Sequence, residues 1–140
     1  MMNNDKINQY LANHSLISSL VEQRQGVWTF EYDHISAYIM TDDRQGIDRM
    51  RIMSLVCQNP QSFPKISAVR LLQANCHEAL DARFCCEHDG SVWSAFIHRL
   101  STLTEEDLDS GLQQVITLVK SFPLKLSSLD FYSRGQQTEE

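Results

Sequence analysis

Apolar positions Ile7, Tyr10, Leu11, Ile17, Leu20 and Val21 recur at spacings of three and four, which predicts an amphipathic helix capped by Asn3, Asn4 or Asp5 and ended by Gly26. A polar gap interrupts the stripe, and His14 falls in it as a core or boundary histidine rather than a ligand. At Val27 the period changes to two. Val27 to Tyr32 sets Trp28, Phe30 and Tyr32 on one face, Asp33 and His34 make a turn, and Ile35 to Met40 alternates Ile35, Ala37 and Ile39 with Ser36, Tyr38 and Met40. A third strand spans Ile47 to Cys57, with Met50, Ile52, Ser54 and Val56 opposite Arg49, Arg51, Met53, Leu55 and Cys57. That second face turns from charged to apolar along its length, so its first half is expected in solvent and its second half covered.

The prolines of NPQSFP (59–64) stop this strand and start a helix that runs to about Asn75 and is expected to bury Ile66, Val69, Leu72 and Cys76. Asn75 sits near the expected C-terminus, where Asn tolerates the left-handed conformation. Ala82 to Glu87 and Ser91 to Leu100 form a hairpin around Asp89-Gly90, read as a tight type I′ turn. Thr104 and Asp107 then form a capping box, with Leu103 and Leu108 as its hydrophobic staple. The stripe Leu108, Leu112, Val115, Ile116, Val119 and Phe122 follows and Pro123 ends it. These elements make a single α+β domain of order α-β-β-β-α-β-β-α, with a mainly antiparallel sheet packed against helices. The domain is expected over residues 1–123, followed by a polar tail over 124–140 that is partly mobile.

Composition narrows the function. Hydrophobic residues at 42% and charged residues at 21% suit a packed core rather than disorder. A net charge of -6 opposes condensation on a phosphate backbone, so nucleic acid is not the expected partner. The sequence shows neither a secretory signal pattern nor a run apolar enough to span a membrane, which makes the cytoplasm the expected compartment. There the four cysteines, Cys57, Cys76, Cys85 and Cys86, are expected as free thiols, since none shows CxxC spacing.

No stretch carries a catalytic constellation, and no cofactor or metal is expected. Asp42 and Asp43 fit the turn chemistry of a polar loop better than metal or acid-base work. Cys76 beside His77, or Cys86 near His88, would be the enzymatic alternative, but sequence neighbours on one element rarely bring thiolate and base together. His77, His88, His98 and the cysteines match no zinc spacing. Surface recognition remains. Arg49 and Arg51, side by side on a sheet face, are either a solvated face or an anchor for an acidic partner. Trp28, Phe30, Tyr32 and Tyr38 are candidate partner contacts, with the core as the alternative for the first three.

The element order, the LLQAN segment (71–75), the hairpin ARFCCEHDGSVWSAF (82–96) and the helix LTEEDLDSGLQQVITLVKSF (103–122) resemble the YbjN family, whose fold is that of the type III secretion chaperones. The resemblance covers about Ile7 to Phe122. It implies a small cytosolic, non-enzymatic, chaperone-like or regulatory protein that binds a segment of a protein partner, as a homodimer. By the same resemblance the dimer would pair through the middle helix and the following strand, at Val69, Leu72, Gln73, Cys76, Phe84 and Cys86.

Overall fold

The computed structural model describes residues 2–58, 65–77 and 79–121, with side chains from residue 68 onward in the second helix. Helix α1 (Asn4–Asn13) leads into strands β1 (Ile17–Arg24), β2 (Val27–Tyr32), β3 (Ile35–Asp42) and β4 (Arg49–Cys57). Helix α2 (Lys65–His77) then crosses to β5 (Arg83–Cys86) and β6 (Val92–Arg99), and residues 105–121 form α3. The sheet order is β1-β2-β3-β4-β6-β5, and every neighbouring pair is antiparallel. The α+β architecture is as expected, with one additional strand. Residues 59–64 and 122–140, which include Phe122, Pro123 and the 123/124 boundary, lie outside the described residues.

The extra strand corrects the reading of the first helix. Asn3 caps α1 by accepting the Lys6 amide at 2.9 Å, but the helix stops at Asn13 and His14 turns extended. Ile17, Leu20 and Val21 belong to β1. Their helical spacing comes from an irregularity at Ser19, whose φ of 56° breaks the register between Ser18 and Val21. The extra residue brings Ile17 and Leu20 to the same face, where both pack against the core. Gln25 and Gly26 turn β1 into β2 instead of ending a helix.

Local chemistry explains the other joints. Asp33 and His34, both with positive φ, make the two-residue turn between Tyr32 and Ile35. The Asp89-Gly90 turn is not type I′: only Gly90 has positive φ, and the Glu87 carbonyl accepts the Gly90 amide at 2.9 Å. His88, Asp89 and Gly90 thus form a three-residue loop, held by Asp89 accepting both the amide and hydroxyl of Ser91. At the start of α3 the Thr104 hydroxyl accepts the Asp107 amide at 3.1 Å and Asp107 accepts the Thr104 amide at 3.2 Å, the reciprocal box expected there.

All three helices contribute to a single core on one side of the sheet. Ile7 and Leu11 of α1, Leu71 and Ala74 of α2, and Leu108, Leu112 and Val115 of α3 meet Trp28, Ile39, Ile52, Val92 and Phe96. The α3 stripe is buried as expected at Leu108, Leu112, Val115 and Ile116; Leu118 joins it and Val119 is half-buried. His14 lies between the rings of Tyr10 and Tyr32, and the Tyr10 hydroxyl donates to Asp109 of α3 at 2.5 Å, tying α1 to α3. Burial, then Asp109, pushes the Tyr10 phenol up, so it stays protonated as a donor.

Close packing makes one glycine essential. A Cβ on Gly111 would overlap the Phe96 ring. Glycine to alanine within a helix ordinarily gains roughly 0.5–1 kcal/mol. Here overpacking should dominate, so Gly111→Ala is expected to lose about 1–3 kcal/mol in a denaturant titration. An unchanged or raised midpoint would show that α3 stands further from the sheet.

Helix α2 is rotated from its expected phase. Leu71 and Ala74 face the core, whereas Val69, Leu72 and Cys76, expected inside, are exposed. Both sets fit helical spacing; Asn75 fixes the choice. Its Nδ2 donates to the Phe84 carbonyl at 3.0 Å and its Oδ1 accepts the Phe84 amide at 2.8 Å, so the side chain serves as a strand partner along β5 rather than as a helix cap. Asn75→Ala should cost about 1–3 kcal/mol from two unsatisfied backbone groups. The Phe84 amide should also exchange faster with solvent deuterium, and unchanged protection would exclude this role.

Candidate protein-binding surface

The sheet face away from the helices is not covered by any described helix, and its composition follows from strand alternation. Ladder register places Arg49 opposite Asp42 on β3 and Arg99 on β6; in the next row Arg51 stands between Met40 and Ile97. Two further rows are apolar: Tyr38, Met53 and Ala95, then Leu55 and Trp93. Met53 and Ala95 are buried by their neighbours, but Leu55 and Ile97 are exposed, the latter at 51%.

The apolar end is a shaped aromatic site. Tyr38 and Trp93 meet edge to face with centroids 5.8 Å apart, and the Tyr38 hydroxyl donates to Met53 Sδ at 3.0 Å. Trp93 Nε1 donates to Ser91 Oγ at 2.9 Å, so the indole's polar edge is satisfied within the fold. A groove of about 490 Å³ runs past Thr29, Glu31, Ser36, Tyr38, Leu55 and Trp93. Cys85 lies beside Trp93 in the ladder, half-buried, and burial followed by Glu87 pushes its thiol up, the reverse of nucleophile activation.

The charged end is organised differently. The Arg49 guanidinium donates to the carbonyls of Ile47 and Asp48, both at 3.0 Å. Arg99 Nε lies 3.9 Å from Asp48, whose carboxylate accepts the amide and hydroxyl of Ser101 at 2.9 and 2.5 Å. Arg51 makes no hydrogen bond or ion pair with any described residue. Arg44 clamps Asp42 through its side chain at 2.6–3.2 Å and through its amide, which holds that carboxyl down at about 2. Asp42 is thus a loop anchor, as the turn reading expects.

The sequence candidates separate on this geometry. Tyr38, Arg49 and Arg51 share the open face. Trp28, Phe30 and Tyr32 do not; they are interior on the helix side, Trp28 with 0% exposure and its Nε1 donating to Asn8 at 3.2 Å. Alternation with Thr29 and Glu31 forces this, because the helices cover that face of β2. Of the residues assigned to a dimer seam, Val69 (55%), Leu72 (70%), Gln73, Cys76 and Cys86 present an exposed surface. Phe84 is instead buried beneath it. Trp93, Ile97 and Arg99 were not picked out from sequence; the alternation of β6 is the signal that joins them. His77, His88 and His98 stand apart on α2, the hairpin loop and β6, and no group of three or more His, Cys, Asp or Glu able to hold a metal occurs among the described residues. No described helix is long and apolar enough to cross a membrane.

Solved structures share this fold. A chain of the ExsC-ExsE complex superposes with a TM-score of 0.63 at 16% identity, covering 90% of this chain and 96% of that one. An uncharacterized protein from Methanothermobacter thermautotrophicus gives 0.62 at 12% identity over 91% and 98%. A chain of the HopA1-SchA chaperone-effector complex gives 0.56 at 11% identity over 74% and 80%. The chain therefore shares its fold with chains of these two complexes, one of them a chaperone-effector complex. No family model and no curated protein sequence matches the chain.

Proposed function

We propose that this chain is a non-enzymatic protein-binding module, chaperone-like or regulatory, that acts in the cytoplasm as a homodimer and engages a segment of a protein partner. The observation carrying this reading is the pair of exposed apolar surfaces, the outer row of α2 and the uncovered sheet face, on a fold shared with chains from two protein-protein complexes, one of them chaperone-effector. Val69, Leu72, Gln73, Cys76 and Cys86 form the dimer seam over buried Phe84, and Tyr38, Arg49 and Arg51 belong to the partner face. A regulatory role of the YbjN kind is the finer assignment within this reading.

Val69 and Leu72, exposed to this degree one helical turn apart, would be covered by a self-complementary contact about a two-fold axis. Light scattering is expected to give twice the chain mass, and Leu72→Glu should yield a folded monomer by placing like charges at the axis. A wild-type monomer at high concentration would overturn the homodimer.

A further inference from the structure

We propose that the open sheet face recognises an acidic, apolar segment of the partner in one orientation, its apolar side chains on the Tyr38-Trp93 end and its carboxylates on the arginine end. This deepens the protein-binding reading and rests on it. From the Arg49-Arg99 row to the Leu55-Trp93 row the strands advance about 20 Å, the length of about six extended residues or about thirteen helical ones.

The arginine end carries the argument. Arg49 and Arg99 are directly opposed across the β4-β6 ladder, and like charges so placed are destabilising. Arg51 lies two residues along the same strand from Arg49 and diagonally across the ladder from Arg99. Asp42 is held by Arg44, and Asp48, which accepts from Ser101, offsets part of the repulsion through Arg99 at 3.9 Å, while Arg51 has no ion pair with a described residue. Three arginines thus share one end of the open face of a chain whose net charge is -6, in rows next to exposed Ile97 and the aromatic pair. A partner's carboxylates would relieve this repulsion with charge-assisted hydrogen bonds, and its apolar groups would cover surface at the other end. A nucleic acid would meet the same three cations, but the overall charge repels a long phosphate chain.

The test uses full-length protein and two fluorescein-labelled peptides of about a dozen residues, long enough to cross that span whether extended or helical. One has leucine and phenylalanine in its first half and glutamate in its second; the other replaces glutamate with lysine. The glutamate peptide is expected to bind and the lysine peptide not. The doubly substituted Arg49→Gln, Arg51→Gln protein should bind the glutamate peptide about ten-fold more weakly, with a flatter salt dependence. Trp93→Ala should weaken binding at all salt concentrations, whereas Glu106→Gln, exposed on α3, should leave it unchanged. Circular dichroism confirms that each variant is folded, and Arg51→Glu repeats the charge test at a single exposed position.

Equal binding of both peptides would overturn the charge selection and leave the protein-binding reading standing. Failure of both peptides to bind would overturn this face as the docking site, and the light-scattering result then decides the homodimer separately. A tighter complex with a single-stranded oligonucleotide than with the glutamate peptide would assign the face to nucleic acid instead. Self-association lost on the double substitution would assign it to a second copy of the chain. Either result overturns the proposal.

Discussion

Trp28→Ala is expected to lower unfolding free energy by about 3–5 kcal/mol, a large share of the whole for a domain of this size. The indole is fully buried between α1 and the sheet, and its Nε1–H meets Asn8. Alanine would remove that hydrogen bond and leave a cavity among Ile7, Leu11 and Ile39, residues of the same core with no exposed area. Trp28→Phe keeps most of the volume and should lose markedly less. Urea midpoints of the three proteins decide between the core and surface assignments of this residue. A partner-facing tryptophan would give unchanged midpoints with weakened binding; the interior position gives the reverse.

Leu112→Ala is expected to cost about 2–5 kcal/mol. Leu112 is fully buried on α3 next to Gly111, where the helix backbone rides on the Phe96 ring, so the helix has little freedom to settle into the space left behind. Incomplete collapse places the cost in the upper part of the range. Because α3 also holds Tyr10 of α1 through Asp109, the variant should lose stability without losing helix content under native conditions. A change in denaturation midpoint too small to measure would show that α3 is not docked on the sheet.

These effects bear on how much of the molecule could be read from its residues. Strands β2 and β3 and the start of α3 were legible because their determinants are local: strict alternation over Val27 to Tyr32, a two-residue turn, and the Thr104-Asp107 reciprocal cap. The misreadings arise where one pattern has two structural solutions. A bulge at Ser19 gives a strand the three-residue spacing of a helix. In α2, Leu71 and Ala74 compete with Val69, Leu72 and Cys76 for the buried face, and a long-range hydrogen bond from Asn75 to Phe84 decides the rotation. Half of the open sheet face was visible for the same reason. Tyr38, Arg49 and Arg51 follow from the periodicity of β3 and β4, but Trp93, Ile97 and Arg99 join them only once β6 pairs with β4 across the intervening α2-β5 segment.

The Asn75 contact has a consequence beyond the choice of helix phase. A six-stranded sheet ends in two rows of backbone donors and acceptors, each an invitation to add further strands without limit. At β5 the amide of Asn75 already occupies the outward groups of Phe84, and the strand is only four residues long. At β1 the break at Ser19 interrupts the straight template that an incoming strand would need. The fold can therefore present apolar surface for recognition while both of its borders discourage open-ended polymerisation.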